Sequence, residues 1–421
     1  MNTIDSESQE QFHVSSVRYF PEEWDNKTLL DAVGMKKDLI VAGPFGSNLK
    51  VSDYKDEGIP IIRLQNIDYG KFIDKEIKYI SHEKARELAY HSFRAGDLVL
   101  AKLGDPIGKT CIVPDYFKDG IVVADVVRVR VADGLVDKKF IMYSLNSVAT
   151  KNQLINGTIG STRPRVNLDQ IRDIQILVPP LNEQRKIAAI LSSVDAAIEQ
   201  TDAIIAQTER VKRGLMQYIF IEEAAIKKWK TADLSDLAQI EMGQSPSGST
   251  YNVIGNGMPL INGPTEFGRN YPNPVQWTSS PSKVCKKGDI LFCVRGSSTG
   301  RINLADREYC IGRGVAAIHG KPNRGKTAFI KYFLEHEVPH IYTLAAGGGS
   351  TFPNITSTLL NTYPCCLPSL SDQCRVVNVL LSIDQKLEYE NQCRSNLCLI
   401  QKGLMQDLLT GRVRVKVNEH A

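Results

Sequence analysis

The chain writes one passage twice, and that duplication restricts what it can fold into. Residues 214–217 read GLMQ, and residues 403–406 repeat those letters 189 positions later. The same offset lays LNEQRKIAAILSSVD (181–195) on LSDQCRVVNVLLSID (370–384), pairing Leu181 with Leu370, Gln184 with Gln373 and Asp195 with Asp384. It also pairs Ser161-Thr162 with Ser350-Thr351 and Pro164 with Pro353, so the register holds without a gap through 217. Upstream, GDLVLAKLGDPIGK (96–109) answers GDILFCVRGSSTGR (288–301), and IPIIRLQNI (59–67) answers MPLINGPTE (258–266). Trp24, Leu29 and Asp31 face Trp229, Leu234 and Asp236. A repeat of this length means one structural unit used twice, and 421 residues exceed what a single core comfortably holds.

Each copy is a globular part followed by a helical part. In the first, short β-branched runs (IPIIRLQNI, DLVLAKL, TCIVP, IVVADVVRVRVA) lie between Gly, Pro and Asp punctuation. Helical spacing near 82–90 and 137–149 makes this half α+β with a mainly antiparallel sheet. The second copy repeats the pattern. From Glu183 onward, apolar or small residues recur every three or four positions: Ile187, Leu191, Val194, Ile198, Thr201, Ile204, Thr208, Val211, Leu215 and Ile219. The other copy gives Val376, Leu380, Ile383, Leu387, Glu390, Cys393, Leu397, Ile400, Leu404 and Leu408. These two seams predict long helices packed antiparallel as a coiled coil, each rod roughly 55 Å. Pro179-Pro180 and Pro368 stand just before, where proline is tolerated. The expected boundaries are 20–160 and 229–350 for two similar α/β domains, and 180–222 and 369–412 for the helices, with a pseudo-two-fold axis between the copies.

Composition narrows the class further. Lys and Arg total 51 against 47 Asp and Glu, a net charge of +4, so any contact with nucleic acid must come from local patches. The polar first thirty residues carry no secretory pattern, and no apolar run reaches membrane-spanning length. Eight of nine cysteines fall between Cys285 and Cys398 with no C-x-x-C, which fits reduced thiols in a cytoplasm.

Two stretches imitate catalytic signatures. GKPNRGKT (320–327) matches the phosphate-binding pattern G-x-x-x-x-G-K-[ST], yet the corresponding ADGLVDKK of the first copy has no such loop. His336-Glu337-Val338-Pro339-His340 fits the zinc pattern H-E-x-x-H. Pro339 should end the helix that this chemistry needs, and the paired Ser147 and Lys151 are not ligands. Neither an N-P-P-[YF] methylation motif nor a strand-bound G-x-G-x-x-G is present.

The wording PLNEQRKIAAIL at 180–191, GDL and GDI following each copy's strand signals, and the loop GPFGSN (43–48) resemble the specificity subunit of type I restriction-modification enzymes over roughly residues 20–415. That resemblance implies two target recognition domains on helical spacers, a role in DNA sequence recognition for restriction-modification and phage defence, and no catalysis by this chain. It further implies two methyltransferase subunits and restriction subunits as partners, which would bring S-adenosylmethionine, ATP and magnesium, with no cofactor in this subunit. Loop residues of the types that read base edges are then the expected DNA contacts. In the first copy these are Ser47, Asn48, Lys50, Arg63, Gln65, Asn66, Lys102 and Lys109, with Arg163 and Arg165 as a phosphate clamp. In the second they are Gln244, Ser245, Ser247, Asn262, Arg295, Ser297, Ser298, Thr299 and Arg301. The two sets differ, as two different half-sites would require.

Overall fold

The computed structural model describes residues 12–13, 20–104, 106–157, 164–346 and 353–416. They form two compact units: one takes both ends of the chain, through Gln200 and from Arg394, and the other is Thr201–Cys393. Each unit therefore holds one globular lobe and parts of both long helices.

The lobes share one topology. In the first, a four-stranded antiparallel sheet has the order Thr110–Ile112, Leu98–Ala101, Val126–Val129, Ile40–Ala42. The second lobe runs Ile302–Leu304, Ile290–Cys293, Val315–Gly320, Ala238–Met242 in the same order. A second sheet in each contains one parallel pair, Ile59–Ile62 with Gly120–Val122 and Met258–Ile261 with Tyr309–Ile311. The expected α+β class with mostly antiparallel pairing holds. The central strands are buried at every position (Leu98–Ala101, Ile290–Cys293), because helices cover one face and the second sheet the other. Expected helicity near 137–149 resolves into two helices, Lys138–Leu145 and Val148–Asn156, because Ser147 caps the second through a bond from Thr150 N–H.

Two helices are much longer than the rest, Leu181–Gln217 with 37 residues and Leu370–Leu408 with 39. The first continues through a wider π-helical segment, Tyr218–Glu223, into Ala224–Ile226. Within each unit the two helices touch in opposite chain sense. In the first unit Asp195 accepts from the Gln401 amide, and Glu183 pairs at 2.8 Å with Arg414, which lies past the end of the second helix. In the second, Lys212 pairs with Asp384 at 2.7 Å and Glu223 with Arg375. The sequence seam needs one correction, made identically in both copies: Val211 and Ile400 are half exposed, and Lys212 and Gln401 turn inward instead. A helix of 3.6 residues per turn drifts off a strict 3.5 repeat, so the inward face steps by one residue.

The lobe is fixed to its helix by the same groups twice. Gln184, fully buried, accepts from Asp137 N–H at 2.8 Å and donates to Pro179 O at 2.7 Å. Gln373 accepts from Lys326 N–H at 2.8 Å and donates to Arg324 O at 2.9 Å. About three turns further along each long helix, Tyr143 donates to Asp195 at 2.5 Å and Tyr332 to Asp384 at 2.8 Å. Burial, then the bond to a carboxylate, pushes both phenols well above their ordinary value. No described helix is long and apolar enough to cross a membrane.

Candidate nucleic-acid interface

At the end of each antiparallel sheet, loops from distant parts of the lobe are stitched together by backbone bonds. Gly43 N–H bonds to Val126 O and Gly243 N–H to Val315 O, both at 2.9 Å. A Cβ on Gly43 would lie 2.1 Å from Val123 O, and one on Gly243 2.2 Å from Gly312 O, so only glycine lets these loops lie flush on their neighbours. The loop after the central strand is held to the residue after the matched proline, Leu103 bridging Arg165 and Arg295 bridging Asn354. Gly104 N–H and Gly296 N–H each reach a proline carbonyl, Pro164 O and Pro353 O, at 3.3 Å. One scaffold thus presents two different sets of side chains.

In the first unit the segments 64–73 and 101–109 line a hollow of about 330 Å³ that includes Gln65 and Lys109. Lys109 pairs with Asp68 at 2.8 Å and stands over the Tyr69 ring. Burial alone would raise the Asp68 carboxyl, but the Lys109 bond and neighbouring charges outweigh it and hold it below its usual range. A larger cleft of about 830 Å³ gathers Phe45, Tyr90, His91, Lys102 and Arg165. Burial pulls the Lys102 ammonium down from its ordinary value, and its twin in the second copy is the fully buried Val294. Arg165 pairs with Asp125 at 2.6 Å; Arg163 lies outside the described residues. Ser47, Asn48 and Lys50 are exposed. Arg63 reaches back to Glu76 O, and Gln65 donates to the Glu76 carboxylate at 3.2 Å.

In the second unit Gln244, Ser247, Arg295, Ser297 and Arg301 are exposed, and Ser298 is half-buried. Ser245 accepts from Arg313 N–H at 3.2 Å, Asn262 donates to Gln276 at 3.4 Å, and Arg301 donates to Pro264 O at 3.2 Å.

Two expected contacts are corrected. Asn66 is fully buried, accepting from Arg63 N–H and donating to Ile73 O and Lys75 O, each within 3.1 Å, so its amide closes a turn and has no edge left for a base. Thr299 is buried and donates to Gly296 O at 2.7 Å, doing the same for its loop. Sequence reasoning passed over Phe45, Tyr69 and Tyr90, all exposed aromatics on this face. The Phe45 signal was there to be read, since an aromatic between glycines in GPFG has no strand or helix to bury it.

The two catalytic look-alikes resolve physically. In GKPNRGKT, the N–H groups of Arg324 and Gly325 bond to Lys321 O, and that of Lys326 bonds to Gln373, so the donors that would cradle a phosphate are already engaged. The helix Thr327–Ala346 runs straight through Pro339, contrary to the expected break. Ile341 and Ala345 are packed in the core on the far side of the proline, and this tertiary burial outweighs the lost hydrogen bond. Even so, His336 Nδ1 bonds Glu337, His340 Nδ1 bonds the Tyr363 hydroxyl at 2.8 Å, and the described residues hold no metal-suited cluster.

A loop face built twice on one scaffold, with cations, amides and hydroxyls that differ between copies, defines a recognition module used in duplicate. The chain belongs to the family of type I restriction modification DNA specificity domains, whose sequence profile matches residues 21–210 and 226–397. Specificity subunits of this family recognise DNA and carry no catalysis themselves, and membership implies DNA and the modification and restriction subunits as partners. The chain is 29% identical over 97% of its length to a putative type I restriction enzyme MjaX specificity subunit of Methanocaldococcus jannaschii, covering 98% of that protein. A second subunit of that organism, MjaIX, is 21% identical over 96% of this chain and 97% of its own. Among solved structures, a chain from a study of type I R-M complex assembly and conformational transition superposes with a TM-score of 0.61 at 23% identity, covering 94% of this chain and 99% of that one. The S subunit from M. genitalium gives 0.57 at 17% identity, covering 92% and 96%.

Proposed function

We propose that this chain reads a split, asymmetric DNA target, one half-site per lobe, and that its two long helices pair as one antiparallel coiled coil whose length sets the gap. The observation that carries this is the pairing of shared backbone bonds with unlike side chains at the loop ends. Identical readers would recognise a palindrome, whereas Lys102, Lys109 and Arg165 facing Val294, Arg301 and Asn354 call for two different sequences. The contacts Asp195 with Gln401, and Lys212 with Asp384, support antiparallel pairing of the two helices. Half-sites on one face of B-DNA recur about every 34–36 Å, an interval that helices of roughly 55 Å can hold.

On this reading the chain acts in the cytoplasm with two methyltransferase subunits, each meeting one lobe and the helices, and with restriction subunits. S-adenosylmethionine, ATP and magnesium work in those partners. The exposed Ser47, Asn48, Lys50, Gln244, Ser247, Arg295 and Ser297 are the foremost base and phosphate contacts. The test is to map methylated adenines in the source cell's DNA and measure binding of the assembled complex to that target across salt concentrations. A bipartite target bound with steep salt dependence is expected. Binding indifferent to salt, or a target without two separated halves, would overturn the reading.

A further inference from the structure

The loop Gly43-Pro44-Phe45-Gly46-Ser47-Asn48 carries a ring that a purely polar interface leaves unused. Phe45 is 83% exposed, and a phenyl group in water forgoes the burial that draws most aromatics inside. Its backbone is nonetheless firmly set. Gly43 lies flush on Val123, Pro44 and Leu49 are buried, and Asn48 N–H bonds to Phe45 O at 2.8 Å. Phe45 and Asn48 are thus the two ends of one tight turn. The Asn48 side chain has no firmer hydrogen bond among the described residues than the Ser47 hydroxyl at 3.4 Å. Lys102 and Arg165, the latter paired with Asp125, share the cleft that Phe45 borders. At the matching place the second lobe has Ser245, already bonded to Arg313 N–H, and small hydroxyls follow it.

An amide and an apolar ring on one turn suit one kind of base pair. In the major groove adenine offers N7 as acceptor and N6 as donor, matching an asparagine amide, and only thymine adds a methyl group. We propose that the Phe45–Asn48 turn reads an A·T pair in the first lobe's half-site, Asn48 against adenine and Phe45 against the thymine methyl of that pair or its neighbour. This rests on the two-half-site reading above and adds the identity of one letter.

The test uses the complex of this chain with its methyltransferase subunits and the mapped target. Thymines are replaced singly by deoxyuridine, which lacks the methyl, and adenines by 7-deazaadenine, which lacks N7. At one pair, or two adjacent pairs, of a single half-site, each analogue should weaken binding about tenfold. Phe45→Ser should abolish the uracil effect alone and Asn48→Ala the deazaadenine effect alone, with the other half-site untouched. Both side chains are exposed, so an unchanged salt slope will show that the variants are folded and still grip the backbone. The proposal is overturned if the native complex ignores every thymine methyl, or if the variants keep both sensitivities. It is equally overturned if 2-aminopurine in the target brightens with native protein but not with Phe45→Ser, because the ring would then be wedged between bases. Equal affinity for target and scrambled duplex would instead sink the half-site reading itself.

Discussion

The base of each lobe and its outer loops follow opposite rules. At the base the two copies repeat side-chain bonds atom for atom: Gln184 and Gln373 clasp the turn before a lobe helix, and Tyr143 and Tyr332 reach Asp195 and Asp384. At the loops only backbone bonds recur, as in Gly104 with Pro164 and Gly296 with Pro353, while the side chains diverge. A mount that must present its reader at a fixed angle needs the same buried contacts each time. A reader needs only a stable loop on which its side chains can differ. The base is not wholly symmetric, however. Where the first unit sets the neutral Gln401 against its aspartate and has Met142 and Asn146 at the matching lobe positions, the second has Lys212, Lys331 and Glu335 in a partly buried ion network.

That asymmetry yields the largest expected effect. Asp384→Ala strips a carboxylate from two lysines only 17% exposed, and should cost about 3 kcal/mol. Asp195→Ala removes hydrogen bonds from Tyr143 and Gln401 and should cost about 1 kcal/mol. Denaturant midpoints of the two variants decide this, and equal losses would break the contrast. Acid should probe the same place. Burial raises the Asp384 carboxyl, but the Lys212 bond and the charges of Lys331 and Lys212 outweigh it and hold it below its ordinary value. Its folded value is the lower one, so its contribution is complete above the unfolded value and is lost as pH falls through the folded one. Asp384→Asn should therefore remove part of the steepening of native stability loss below about pH 4.

Next come the matched glutamines. Gln184→Ala and Gln373→Ala each take the side-chain partner from a backbone N–H and from a buried carbonyl, and each should cost about 2 kcal/mol. Hydrogen exchange at Asp137 and Lys326 should quicken to a similar degree. A much smaller response in one unit would mean that the two mounts are not equivalent.

The smallest effect separates two tryptophans. Trp24 donates to Glu183 at 3.1 Å, whereas the buried Trp229 indole N–H has no partner among the described residues; Asp372, at the position matching Glu183, is one methylene shorter and pairs with Lys227. Trp24→Phe should destabilise more than Trp229→Phe by about 1 kcal/mol, read from thermal midpoints.

How much of this was legible in the sequence varies by level. The duplication, the sheet class and the helix starts after Pro180 and Pro368 followed from letters alone, because register and proline chemistry are local. The inward step to Lys212 and Gln401 did not, since helical drift accumulates over many turns and a polar residue hides it. Pro339 misled because a local rule was overruled by burial of Ile341 and Ala345. Asn66 and Thr299 looked like readers because loop amides and hydroxyls that close turns are spelled the same way as those that face a ligand. The 83% exposure of Phe45 is a three-dimensional fact that composition cannot supply.

The most direct measurement is an exchange of residues 20–160 for the corresponding stretch of a relative with a different target, followed by mapping of methylated adenines. One half of the recognised sequence should change, with the other half and the gap between them kept. If both halves change, or the gap does, the lobes are not independent readers and the account fails.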